Sequence, residues 1–237
     1  MLSEYGRGKL EYAYGENRGK VRPVRTLERA VFGNRSGTRA AAAVRRGGRA
    51  RVLRIIGGTW RGRKLRFPAS AAIRPTPDRV RETLFNWLGP ATQGAHCLDL
   101  FAGSGMLGLE ALSRGAAQVT FIEQDAAAAA ALRARLAEWQ AADAHVERAD
   151  ALRYLAGTAR RFDIVFLDPP FGGELLSRAA ALLEGRHWLK PGALIYVECA
   201  ARHGLPSLPQ SWRVLKAKRT GEVGYHLLVH DTEWQAA

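Results

Sequence analysis

Asp168-Pro169-Pro170-Phe171 is the segment whose residue types and spacing are best suited to chemistry. The Asp168 carboxylate and the Pro169 carbonyl are hydrogen-bond acceptors, Pro170 stiffens the backbone, and the Phe171 ring offers a flat apolar face. Together they suit an exocyclic amino group on a planar base, with acceptors holding the amine and the ring stacking on the base. The preceding run, Phe162-Asp163-Ile164-Val165-Phe166-Leu167, has the apolar character of a buried parallel strand. The tetrapeptide is therefore expected at the carboxyl edge of a sheet, where open α/β folds bind their ligands.

A second constellation lies upstream. Leu98-Asp99-Leu100-Phe101-Ala102-Gly103-Ser104-Gly105-Met106-Leu107-Gly108 reads as a strand, a glycine turn and a helix start. Gly103, Gly105 and Gly108 fit G-x-G-x-x-G, and Glu123 lies 20 residues beyond Gly103. Alone, this pattern also fits a dinucleotide site or a plain tight turn. Asp99 shifts the reading. A carboxylate four residues before the first glycine repels a pyrophosphate but welcomes the ammonium end of a methionine group. With Asp168 to Phe171 downstream, the set describes an S-adenosylmethionine site beside a site for an amine nucleophile. Asp99, Gly103, Gly105 and Glu123 are the candidate cofactor-binding residues, with Glu123 placed to take ribose hydroxyls. Asp150 and Ala151 are candidates for the adenine edge, although Asp150 is equally suited to cap the helix that follows.

Charge is divided unevenly along the 237 residues. Residues 1–50 hold 12 Lys and Arg against 4 Asp and Glu, and residues 51–90 hold 9 against 2. The remainder holds 15 against 16, so the whole excess of +14 precedes residue 91. A basic arm serving a nearly neutral domain points to phosphate, hence to nucleic acid. Two isolated cysteines, Cys97 and Cys199, are expected as buried thiols in a reducing compartment, which is read as the cytoplasm. The six histidines show no metal-ligand spacing, so no metal is expected. No apolar run is long enough to cross a membrane, and no signal peptide is read.

The elements that must position these residues follow from periodicity. Residues 1–50 are rich in Gly and Arg, lack apolar periodicity and are expected to be a disordered arm. Val52–Ile56 and Lys64–Phe67 read as a small hairpin whose tip carries Arg61, Arg63 and Lys64 around Trp60. Thr76 is expected to cap a helix with Pro77 at its first position and Val80, Leu84, Trp87 and Leu88 on its inner face. Strands are predicted at 96–101, 118–123, 144–148, 162–167 and 192–198, and helices at 105–114, 126–141, 150–157 and 174–185. That alternation means a parallel sheet covered on both faces. Trp212–Lys216 and Tyr225–Val229 have no helix between them and read as an antiparallel hairpin added to it.

Three stretches carry a family resemblance: Arg54-Ile55-Ile56-Gly57-Gly58-Thr59-Trp60-Arg61-Gly62-Arg63-Lys64-Leu65, the segment Arg74-Pro75-Thr76-Pro77-Asp78-Arg79-Val80-Arg81-Glu82-Thr83-Leu84-Phe85-Asn86-Trp87-Leu88, and the glycine turn with Asp168 to Phe171. From about Arg51 onward the chain resembles the RsmD family of bacterial methyltransferases, which act on the exocyclic N2 of a guanine in 16S ribosomal RNA. The resemblance implies an α/β fold of the class I S-adenosylmethionine-dependent type, a Rossmann-like seven-stranded sheet ending in the antiparallel hairpin. Three parts are then expected: the arm 1–50, an RNA-binding hairpin and helix over 51–90, and a methyltransferase domain over 91–237. The cofactor role falls on Asp99, Gly103, Gly105 and Glu123, and the amine-binding role on Asp168, Pro169, Pro170 and Phe171. Arg61, Arg63, Lys64 and Arg66 are assigned to RNA phosphate, and Arg74 and Arg79 to the active-site rim. The partner is 16S rRNA or the small ribosomal subunit, met by a monomer. Two other readings stay open: an adenine-N6 DNA methyltransferase, and a non-catalytic ribosome assembly factor on the same fold.

Overall fold

The computed structural model describes residues 51–67, 76–170 and 173–231; the arm 1–50, Arg74 and Phe171 lie outside the described residues, as does the side chain of Arg66. The chain opens with an antiparallel ribbon of β1 (Arg51–Arg54) and β2 (Lys64–Phe67), with Leu53 opposite Leu65. Helix α1 (Asp78–Leu88) follows, and a 3-10 turn at Gly89–Thr92 leads into the main sheet.

Seven strands make that sheet: β3 (His96–Asp99), β4 (Gln118–Glu123), β5 (Ala144–Arg148), β6 (Phe162–Leu167), β7 (Leu189–Ala200), β8 (Trp212–Thr220) and β9 (Val223–His230). Their spatial order is β5-β4-β3-β6-β7-β9-β8. The five strands β3 to β7 run parallel, and β9 inserts antiparallel between β7 and β8. The chain first moves outward from β3 through β4 to β5, then returns to the other side of β3 as β6. This reversal opens a crevice at the carboxyl ends of β3 and β6, the position where such sheets hold ligands.

The two faces of the sheet explain why the strands read as apolar runs. Along β6, Ile164 and Phe166 enter one core while Val165 and Leu167 enter the other. The first face is covered by α1, α2 (Met106–Ser113) and α3 (Ala126–Glu138), and the second by α4 (Ala151–Leu155) and α5 (Gly173–Gly185). Ile55, Leu65, Val80, Leu84, Phe85 and Leu88 belong to the first core. The ribbon and α1 are thus packed into the same interior as the sheet.

Strands β2, β4, β5 and β6 have the predicted bounds, while other elements differ for local reasons. Strand β7 begins at Leu189, earlier than expected, because Gly192 at φ 74 takes up a register shift opposite Phe162 and Ile164. Helix α3 stops at Glu138 because Gln140 turns to a positive φ of 56. Thr76 does not cap α1: Pro77 occupies the cap position with no side-chain cap bond, and the Thr76 hydroxyl turns to the carboxyls of Asp168 and Glu198 instead. The hydroxyl is oriented by donating to carboxyl oxygens, the stronger charge-assisted bond, rather than by accepting from a helix N–H.

A buried ionic latch joins the ribbon to α2. The Glu110 carboxylate accepts from the N–H groups of Ile56 at 2.9 Å and Gly57 at 2.8 Å. It also meets Arg81 at 3.4 Å and Arg114 at 2.8 Å. One turn further, the Trp60 N–H donates to Ser113 Oγ and the Thr59 N–H to the Ser113 carbonyl. Gly58, at φ +77, lies so close to the Ser113 carbonyl that a Cβ there would clash with it.

Candidate active site

The glycine turn is held by the acids on either side of it. Asp99 ends β3 almost fully buried, and its Oδ2 accepts from the Gly108 N–H at 3.0 Å. Gly108 has no room for a side chain, since an added Cβ would run into the Phe121 ring. The Gly103 N–H donates to Glu123 Oε2 at 2.7 Å, and the Asp125 N–H donates to Glu123 Oε1 at 2.7 Å. Glu123 therefore shapes the turn, and each of its oxygens keeps lone pairs for a further donor. Burial, opposed by the Gly108 hydrogen bond and assisted by the charge of Glu123, pushes the Asp99 carboxyl up to about 7.

Asp168 follows β6, the strand next to β3. Asp99 pairs with Phe166, and the Leu100 N–H donates to the Phe166 carbonyl at 3.2 Å, so the two strand ends lie side by side. Pro169 is buried and Pro170 exposed. The Thr76 hydroxyl lies 3.3 Å from Asp168 Oδ2 and 2.9 Å from Glu198 Oε1. The Tyr196 hydroxyl donates to the same Glu198 oxygen at 2.8 Å. Burial first, then the charges of Glu198 and Asp99, raise the Asp168 carboxyl well above the usual carboxylate range, against the Thr76 hydrogen bond.

The remaining sequence-predicted residues divide by edge of the sheet. Asp150 caps α4, accepting from the Arg153 N–H at 2.9 Å through one oxygen and leaving the other clear. Ala151 is buried beside it. Arg79 is exposed in the first turn of α1, three residues after Thr76. Arg61 and Arg63 are elsewhere. The ribbon tip is fastened to the carboxyl end of α2, whereas the glycine turn is at its amino end, about 12 Å away along eight residues. Arg63 lies over the Trp139 ring at 5.3 Å, and Trp60 meets Trp139 edge-on at 5.1 Å. Arg61, Arg63 and Lys64 are exposed. A phosphate held by the tip would belong to RNA well away from the reacting base. Glu198, Tyr196 and Glu110 were not singled out from sequence; the available signal was a lone acid inside an otherwise apolar strand or helix.

This geometry agrees with what similar proteins show. The family model described as conserved hypothetical protein 95 matches residues 53–229. Ribosomal RNA small subunit methyltransferase D of Escherichia coli (strain K12) is 50% identical over 184 residues, covering 78% of this chain and 93% of that protein. The chain belongs to the RsmD family. A solved structure titled putative methyltransferase yhhF from Escherichia coli superposes with a TM-score of 0.71 at 48% identity, covering 76% of this chain and 98% of that one. A Salinibacter ruber RNA methyltransferase, solved with S-adenosyl-L-homocysteine, shares the fold alone at 15% identity and a TM-score of 0.53, over 67% of this chain and 95% of that one. The seven-stranded α/β sheet is that of the S-adenosylmethionine-dependent methyltransferases.

The residues on the RsmD-type crevice fit that cofactor. The glycine turn is bonded by the carboxylates Asp99 and Glu123, which suit an ammonium group and ribose hydroxyls and oppose a pyrophosphate. Among the described residues no cluster of His, Cys, Asp and Glu fits a metal ion, and no helix is long and apolar enough to cross a membrane.

Proposed function

We propose that this chain methylates the exocyclic N2 of one guanine in 16S rRNA of the small ribosomal subunit, using S-adenosylmethionine. The observation that carries the reading is the position of Asp168 directly after β6, the strand beside the one that ends at Asp99 and feeds the glycine turn. The named relatives act on small-subunit rRNA, which supports the choice of substrate. We place the enzyme in the cytoplasm as a monomer.

S-adenosylmethionine supplies a methyl group already activated on a sulfonium. Asp99, Gly103, Gly105 and Glu123 would hold it, with Asp150 and Ala151 at the adenine edge. The chain's own task is then geometry and a competent nucleophile. The guanine N2 lone pair is delocalised into the ring. With the Asp168 carboxylate and the Pro169 carbonyl accepting its two N–H bonds, the nitrogen can pyramidalise and aim its lone pair at the carbon. The same acceptors stabilise the positive charge that develops on nitrogen. Phe171 is assigned to stack on the base once it is turned out of its RNA stack, an arrangement worth about 1–3 kcal/mol. Arg74 and Arg79 are assigned to the rim. Arg61, Arg63, Lys64 and Arg66 are assigned to more distant phosphates, with the arm 1–50 adding charge.

The test is incubation with methyl-labelled S-adenosylmethionine and either small-subunit particles from cells lacking the enzyme or plasmid DNA. Label in the 16S rRNA is expected. Label in DNA would favour an adenine methyltransferase, and no label in either would favour an assembly factor.

A further inference from the structure

Asp168 shares a hydroxyl with a second carboxyl, and counting hydrogens shows what that sharing requires. Thr76 Oγ has one hydrogen and two carboxyl oxygens within reach, Glu198 Oε1 at 2.9 Å and Asp168 Oδ2 at 3.3 Å. The nearer oxygen, on Glu198, takes that hydrogen and also accepts from Tyr196. Asp168 Oδ2 is left only the longer, weaker side of that hydroxyl, beside a Glu198 that is 4% exposed and takes two hydroxyl donors. That difference in donors favours the ionised form of Glu198 over that of Asp168.

The surroundings support this state. Among the described residues neither carboxyl makes a hydrogen bond or ion pair with Lys or Arg. The titratable groups facing them are Asp99 on β3, Tyr196 and Cys199 on β7, and Tyr225 on β9, none of which brings positive charge. Hydrogen bonds from Tyr196 and Thr76 favour the ionised form of Glu198, although burial raises its carboxyl.

We propose that Glu198, held by Thr76 and Tyr196, is a positioning residue that makes Asp168 the base of the methyl transfer. The proposal rests on the reading of the chain as an amine methyltransferase. Asp168 gives its resting proton to water at its partly exposed edge as the base enters. When the C–N bond forms, the C–S bond breaks with its electron pair left on sulfur, and the nitrogen becomes positive with one surplus hydrogen. The N–H electron pair stays on nitrogen and the proton passes to Asp168. A lone exposed carboxylate would be a weak acceptor for it; one facing a fixed negative charge is a stronger one.

The sign of the test follows. Asp168 accepts only when ionised, so the rate rises with pH through its titration. Removing the Glu198 charge lets Asp168 ionise more easily and moves that acidic limb to lower pH. The experiment measures kcat and kcat/KM against pH with labelled S-adenosylmethionine and small-subunit particles, for the wild type, Glu198→Gln and Glu198→Asp. Infrared spectra of the same proteins without ligands follow the neutral carboxylic acid band that is lost in Asp168→Asn. In Glu198→Gln the limb and the band are expected to titrate about one pH unit lower, with plateau kcat down roughly tenfold and KM for S-adenosylmethionine unchanged. In Glu198→Asp, which keeps the charge, both should stay in place. A limb and band that do not move in Glu198→Gln, or that move equally in Glu198→Asp, would overturn the proposal. So would a wild type without an Asp168 band at neutral pH. A wild type that methylates no amine would instead defeat the functional reading beneath it.

Discussion

Glu110 and Glu198 are both buried acids, yet the protein surrounds them in opposite ways. Glu110 receives two backbone N–H groups and two arginines. Glu198 receives two hydroxyls and faces another carboxyl. A buried charge whose partners are complete holds structure together, and removing one partner is costly. A buried charge left uncompensated beside a crevice perturbs its neighbours, and such perturbation is how folds prepare groups for reaction. The first arrangement fastens the ribbon and α1 to the helix that follows the glycine turn; the second conditions the residue beside that turn.

The contrast breaks most sharply at Asp168. Asp168→Ala should lower methyl transfer by roughly 10³-fold, while calorimetry shows S-adenosylmethionine binding as before. A turnover rate equal to the wild type would remove Asp168 from the reaction. On the structural side, Glu110→Ala leaves Arg81 fully buried with Asp78 as its only remaining ionic partner among the described residues. Urea unfolding should then show a loss of about 3–5 kcal/mol, with kcat of the folded fraction little changed. A loss under about 1 kcal/mol would mean the latch holds nothing.

Asp99 lies between these two cases, buried but bonded once to backbone. With its carboxyl at about 7, it is increasingly protonated below neutrality and less able to pair with an ammonium group. Affinity for S-adenosylmethionine should therefore weaken as pH falls below about 7, approaching tenfold per pH unit. Asp99→Asn should bind weakly at every pH, and a wild-type affinity independent of pH from 5 to 8 would contradict the assignment. The smallest effect is expected at the ribbon tip. Arg63→Ala combined with Lys64→Ala should weaken RNA binding and flatten the logarithmic salt slope by about 0.7 per lost phosphate contact. Because the tip is fastened at the other end of α2, kcat should hold. Unchanged affinity and slope would show that the tip meets no RNA.

Much of this was legible in the sequence because it was local. Strand β6 reads as apolar because both faces are buried, and the glycine turn reads from spacing because Gly108 must approach Phe121. Of the two readings left open for Asp150, the helix cap is present. Thr76 did not read correctly, because its partner Glu198 is 122 residues away and no local pattern announces so distant an acceptor. The ribbon tip was legible in composition but not in position. Its composition marked a phosphate-binding surface, but only the bonds of Thr59 and Trp60 to Ser113 reveal which edge of the sheet it occupies.

The central claim is that the acceptors at the end of β6 prepare an exocyclic amine for methylation. Mass mapping of 16S rRNA from particles treated with the purified protein and S-adenosylmethionine tests it most directly. The account predicts a single added methyl on the N2 of one guanine. A methyl found on a ring nitrogen, a base carbon or a ribose oxygen would contradict it.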